Sequence, residues 1–263
     1  MITVDYYGRS GNQIFQYVFA RVLCEKLGMW LYTPPPKVFL PINPCFKDVD
    51  LKRGSTFMVT DGSADQLLDG QHILAGVTHL HLHGYFQKSW FYNPYRTEIK
   101  QMFDEGPKLI NHDDIVIHLR LTDYFWHRVN SVISPEWYIN IVKAQQYKKC
   151  YVVVEDHPTN KKYLQFITGG IRNCEVVTGG SALEDFNFIR SFDRIVCSNS
   201  TFCWWAAFLS NATKIWTFKP WLNKVGAKYM PDLSGIAGAI EVDGKFYTDR
   251  ELAARDWTEH WNR

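Results

Sequence analysis

The run from Ile115 to Tyr124 reads Ile-Val-Ile-His-Leu-Arg-Leu-Thr-Asp-Tyr and sets an imidazole, a guanidinium and a carboxylate directly after a β-branched stretch. Such a stretch reads as a buried strand, so His118, Arg120 and Asp123 fall where that strand ends. In an open α/β sheet, ligands bind in the crevice beyond the carboxyl ends of the strands. An arginine in that place suits a phosphate, because its planar fork donates paired hydrogen bonds and keeps its charge at any working pH. Asp123 either aims the fork at a ligand or closes a plain strand-end salt bridge with it. The sequence leaves both open.

Comparable groups follow other strand-like runs. Glu155, Asp156 and His157 come after 151–155, and Ser198, Asn199, Ser200 and Thr201 after 194–198. The second set opens a helix whose first N–H groups, helped by the hydroxyls, can hold phosphate. Asp185 lies on the helix before that strand. Near the start, Gly8-Arg9-Ser10-Gly11-Asn12-Gln13 separates a strand from a helix, the setting in which backbone N–H groups and the helix dipole hold an anion. It matches neither the P-loop nor the full dinucleotide fingerprint. Each feature also has a plain reading: an N-cap, a solvated loop, a surface charge, a tight turn. His79, His81 and His83 alternate along one strand, which fits a metal site or a half-exposed strand equally; no acidic or cysteine ligand follows at the usual spacing.

The elements that must position these groups come in two sets. Ile2–Tyr7, Met29–Thr33, Thr56–Thr60 and His79–His83 read as strands, Ile14–Leu27 and Arg96–Phe103 as helices, and 34–55 as an irregular surface excursion. Gly106-Pro107 and Asn111–Asp114 break the pattern, dividing the chain into 1–110 and 111–263. In the second part, strands at 115–120, 151–155, 174–178, 194–198 and 214–218 alternate with helices at Pro135–Gln146, Pro158–Ile167, Ala182–Phe192 and Thr201–Ser210. That alternation predicts βαβ units and a parallel sheet. Asp249–Trp261 reads as a closing amphipathic helix, one that could pack back on the first part.

Composition narrows the functions. The chain has 263 residues, 46% hydrophobic and 21% charged, with 29 basic against 27 acidic residues. A net charge of +2 provides no field for nucleic acid or anionic lipid, so any anion must be bound locally. Aromatic residues make up 16%, a composition that also suits stacking on sugar rings. No apolar run is long enough for a membrane span, and no signal peptide is read at the N-terminus. The six cysteines form no C-x-x-C pair. The sequence therefore leads us to expect a protein of the cytoplasm, of a microbe or of an infected host.

In order along the chain, Gly8–Gln16, Gly84-Tyr85-Phe86-Gln87, His118–Tyr124 and Asn199–Ala207 resemble the α-1,2-fucosyltransferases of glycosyltransferase family 11, over about residues 2–220. The resemblance implies an α/β protein of GT-B type, with two Rossmann-like α/β domains facing a central cleft: the first on the acceptor side, the second binding a nucleotide sugar. It implies inverting transfer of L-fucose from GDP-fucose to a hydroxyl of a glycan or glycoconjugate acceptor, with no metal or other cofactor. By the same resemblance Arg120 holds the β-phosphate, His118 and Asp185 contact the base, and Ser200 and Thr201 hold phosphate oxygens. Asp156 lies near the ribose or the fucose, and Gly11, Asn12 and Gln13 face the pyrophosphate and acceptor. Asp123, His127 and Glu155 are candidate general bases, and Tyr85 a candidate acceptor contact. The family pattern His-x-Arg-Arg-Gly-Asp-Tyr is broken by Leu121 and Thr122. A different donor, such as a UDP-sugar, and a non-catalytic glycan- or nucleotide-binding protein are the alternatives.

Overall fold

The computed structural model describes residues 1–36, 55–68, 76–103, 106–107, 110–127, 129–223, 232–233, 235–248, 251–252 and 255. The chain divides into two compact units, Met1–Glu105 and Gly106–Arg263.

In the first unit, strands β1 (Ile2–Val4), β2 (Ser55–Val59) and β3 (Val77–Leu82) form a parallel sheet in the order β1-β3-β2. Helix α1 (Ser10–Leu27) buries Ile14, Phe15, Tyr17, Val18, Phe19 and Val22 and stops at Gly28, whose φ of +62° is a left-handed conformation that glycine adopts without a Cβ penalty. Short helices α2 (Ala64–Leu68) and α3 (Arg96–Met102) complete the unit. The strand expected at Met29–Thr33 reduces to a single bridge, Leu31 against Ile2. Pro34, Pro35 and Pro36 follow at once and carry no N–H to extend the ladder. Of the excursion at 34–55, positions 37–54 lie outside the described residues.

The second unit is a six-stranded parallel sheet: β4 (Ile115–His118), β5 (Cys150–Val153), β6 (Cys174–Val177), β7 (Arg194–Val196), β8 (Lys214–Lys219) and β9 (Ile240–Asp243). The order is β6-β5-β4-β7-β8-β9. Crossovers run through α4 (Pro135–Lys143), α5 (Lys161–Gly170), α6 (Ala182–Arg190) and α7 (Thr201–Leu209). Counted within the unit this is the 3-2-1-4-5-6 order of a doubly wound nucleotide fold, and the strand order reverses between β4 and β7. Ile115, Ile117, Val152, Val196, Trp216 and Phe218 from the sheet pack with Phe125, Tyr138 and Tyr163 into one core. Strand β9 was not expected from the sequence: its Ile-Glu-Val-Asp alternates weakly and is mostly exposed. Of the closing helix, Glu251 and Leu252 are helical and most of the remainder lies outside the described residues. Among the described residues no helix is long and apolar enough to cross a membrane.

Candidate active site

The reversal of strand order fixes where a ligand crevice opens in the second unit: beyond the carboxyl ends of β4 and β7. Groups read from the sequence gather there. His118 ends β4 and Ser198 follows β7, and His118 Nδ1 is 2.8 Å from Ser198 Oγ. Burial, and secondarily the charge of Arg120, push the imidazole pKa down to about 3. His118 is therefore neutral at working pH and serves as a hydrogen-bonding strut between the two strands.

Arg120 stands two residues beyond, its side chain 14% exposed. Nη1 donates to Glu155 Oε2 at 3.1 Å, Nη2 donates to Asp123 Oδ1, and the guanidinium lies over the Tyr124 ring at 5.3 Å. Tyr124 in turn donates its hydroxyl hydrogen to the carbonyl of Asn199 at 3.3 Å. The fork is thus aimed from three sides. The side chain of Glu155 is 49% exposed, and such an ion pair is worth about 0–1 kcal/mol, so it restrains the arginine without locking it against a better anion.

The two loops that carry Arg120 and Glu155 are stitched together by Asn160, which is fully buried. Its Oδ1 accepts from the Thr122 N–H at 3.2 Å, and its Nδ2 donates to the Glu155 carbonyl at 2.7 Å. Thr122 has φ +40°, the left-handed region, and its buried hydroxyl has no partner among the described residues. Nothing in the sequence pointed to Asn160 except its place just after the His157-Pro158 turn.

Helix α7 begins at the same edge. Ser198, Asn199 and Ser200 are buried, and the N-cap residue Ser200 makes no side-chain capping bond to the helix. The positive end of the helix therefore meets the crevice, and the Ser200 side chain does not cap it. Phe202, in the first turn of α7, lies 5.6 Å from the His118 ring and 5.4 Å from Phe186 on α6. On α6 sits Asp185, its pKa raised by burial and then by Glu184. A capping box between Ser181 and Glu184 fixes the start of that helix. Asp156 is exposed on the loop after β5.

His127 is held differently. Its Nδ1 accepts from the N–H groups of Val129 and Asn130 at 3.3 and 3.1 Å. A neutral imidazole so engaged carries its proton on Nε2, which leaves no lone pair to receive another.

In the first unit, Asn12 Oδ1 accepts from Gln87 Nε2 at 2.9 Å, and Gln13 Nε2 donates to the Gly8 carbonyl at 3.1 Å. Gly8, at φ +78°, leaves no room for a Cβ, which would lie 2.3 Å from Asn12 Nδ2. Gly11 is buried in the first turn of α1. Fully buried Gln16 accepts from Tyr7 N–H and donates to the Gly84 carbonyl, both at 3.2 Å. Asp61, absent from the sequence reading, accepts from the N–H groups of Tyr85 and Phe86 at 2.9 and 2.5 Å. These bonds build the Gly8 and Gly84 loops into one frame and leave the Tyr85 ring 42% exposed.

With this geometry in place, comparison with known proteins becomes informative. Residues 102–222 match the model of Glycosyl transferase family 11. That segment spans β4 to β8 with every crossover helix, so the similarity to this family falls on the second unit. No curated protein matches the chain. Among solved structures, a mutant of FUT1 from Arabidopsis thaliana in complex with GDP is similar at 12% identity and a TM-score of 0.49, over 81% of this chain and 69% of that one. NodZ α-1,6-fucosyltransferase soaked with GDP-fucose is similar at 13% and 0.47, over 80% and 92%. The heptosyltransferase WaaC of E. coli with ADP is similar at 11% and 0.46, over 100% and 99%.

Proposed function

We propose that the protein transfers L-fucose from GDP-fucose to a hydroxyl of a glycan acceptor, with inversion and without a metal, in a reducing compartment. The observation that carries this reading is that Arg120, just after β4, and the start of α7, just after β7, share the carboxyl edge at which the strand order reverses. A departing nucleoside diphosphate gains charge in the transition state, and preorganised cationic and N–H donors are what stabilise it when no metal does so. Ser200 and Thr201 flank the phosphates, His118 and Asp185 the base, and Asp156 the sugar or ribose. Gly11, Asn12 and Gln13 belong to the first unit, which takes the acceptor.

A different donor, such as a UDP-sugar, is the second reading, since Leu121 stands where the family pattern has a further arginine; Leu121 is 3% exposed and belongs to the core of the second unit.

The test is GDP release from GDP-fucose by the wild-type chain and by Arg120→Ala. Turnover falls about 10³-fold in the variant, the scale of losing one preorganised charge-stabilising donor, while the unfolding midpoint stays within a few degrees. Unchanged turnover would refute the role of Arg120. Thermal stabilisation by UDP-sugars and not by GDP-fucose would move the enzyme to another donor.

A further inference from the structure

His118 spends one ring nitrogen on the protein and keeps the other unpartnered. Its ring lies at the edge of the crevice in the second unit, and the residue is only 7% exposed. Ile115, Ile117, Leu119 and Leu121 face the core that holds Tyr138 of α4 and Tyr163 of α5. His118 alternates to the opposite face of the sheet, where Phe202 of α7 lies 5.6 Å from its ring. Register explains its partner: Ile117 pairs with Val196, so His118 and Ser198 leave the β4–β7 ladder side by side. His118 Nδ1 meets Ser198 Oγ at 2.8 Å, and Nε2 has no hydrogen-bond partner among the described residues.

Ser198 decides which nitrogen carries the ring hydrogen. A neutral imidazole has one N–H and one lone pair, and a hydroxyl has one hydrogen to donate. With the hydrogen on Nδ1, the ring would donate to Ser198 Oγ, and the serine hydrogen would have no acceptor among the described residues. Ser198 is fully buried, so bulk water does not take that hydrogen either. A buried donor left without a partner is the costlier arrangement. The hydroxyl therefore donates to Nδ1, and the ring hydrogen sits on Nε2. Ser198 is itself held, because its backbone N–H donates to the Cys203 sulfur in α7.

A nine-tenths buried N–H with no protein partner points to a ligand atom that completes it. It stands beside the start of α7, a nine-residue helix whose N-cap residue Ser200 makes no side-chain bond to it. Arg120, two residues on, already brings the positive charge to this edge. The neutral ring adds a directed donor without adding a second charge. We propose that Ser198 is a positioning residue that fixes His118 as a hydrogen-bond donor, through Nε2–H, to an acceptor atom of the base of a bound nucleoside diphosphate; the assignment rests on the nucleotide-sugar reading above. A base that offers an N–H or amino group at that point sets donor against donor and is rejected.

The experiment records nitrogen-15 spectra of the full chain labelled at its histidines, at pH 7, with and without GDP. His118 is assigned through its contact with the Phe202 ring. GDP is then titrated by calorimetry into the wild-type chain, Ser198→Ala and Ser198→Thr. We expect a hydrogen on Nε2 and a bare Nδ1 in the unliganded chain, and an Nε2–H resonance that moves on addition of GDP. Ser198→Ala shows both tautomers and binds GDP roughly tenfold more weakly, the scale of one hydrogen bond. Ser198→Thr keeps the hydroxyl, the wild-type tautomer and most of the affinity. A hydrogen on Nδ1 in the wild-type chain would overturn the assignment, and that reading needs no variant to fold. An Nε2–H resonance unmoved at saturating GDP, or wild-type affinity in Ser198→Ala, would overturn it and leave the nucleotide reading standing. A wild-type chain that binds none of GDP, UDP and ADP would overturn the nucleotide reading, and the ligand assigned to His118 with it.

Discussion

Arg120 and Leu121 are neighbours with opposite surroundings. The arginine stands in the crevice between two carboxylates; the leucine turns into the core beside Phe125. The sequence held enough to separate them, because Leu119 and Leu121 alternate with Arg120 past the end of β4 and both are buried. Putting an arginine back, as Leu121→Arg, buries a charge without a partner, a change that costs a few kcal/mol. The variant unfolds at clearly lower denaturant than the wild type and gains no affinity for GDP, both readable in one titration series with and without nucleotide. Thr122 is explained by the same turn: a left-handed residue is where glycine is the natural choice, and threonine holds that place at the expense of strain and an orphaned hydroxyl. What no residue pattern disclosed is Asn160, since a buried amide joining two loops carries no local periodicity.

At the scale of elements, the catalytic edge depends on two loops keeping a fixed separation, and Asn160 sets it. Asn160→Ala leaves the Thr122 N–H and the Glu155 carbonyl without their partner, at about 1–3 kcal/mol for each buried group left unsatisfied. On the proposed reading, turnover of GDP-fucose falls about tenfold or more in this variant, consistent with a loss of positioning; unchanged turnover would show that Asn160 does not position this edge. The βαβ elements of the second unit were legible because β-branched runs and amphipathic helices alternate at regular spacing. Strand β9 was not, being short, half-charged and exposed, and the bridge at Leu31 fell short of a strand because prolines follow it.

For the molecule as a whole, strand order was beyond reach of the sequence: alternation predicts a parallel sheet, but only pairing shows that β4 and β7 lie side by side where the order reverses. Folding of this site also ties stability to pH. An unfolded chain protonates His118 near ~6.5, whereas burial and then Arg120 hold the folded pKa at about 3. The unfolded state thus binds the proton first, so stability is complete above ~6.5 and is lost as pH falls toward 3, at about 1.4 kcal/mol per pH unit. Glu136 behaves separately: burial opposes it, but bonds from Ser134 and Tyr247 hold it at about 2, so its contribution is lost only below ~4.3. In urea midpoints measured between pH 7 and 5, His118→Gln should flatten the slope, leaving the part that comes from His79, whose pKa burial and His81 also lower. Strand β9 has one more consequence. It covers the outer side of β8, whose Ile215, Trp216, Thr217 and Phe218 are buried, and it brings Glu241 to pair with Lys219. A chain cut at residue 222, where the family match ends, would keep the crevice strands yet leave β8 as a flat, apolar border with open backbone donors and acceptors. Such borders recruit other strands. The stretch beyond the family segment, which adds none of the side chains around Arg120, is therefore what keeps the sheet from joining its own copies and precipitating.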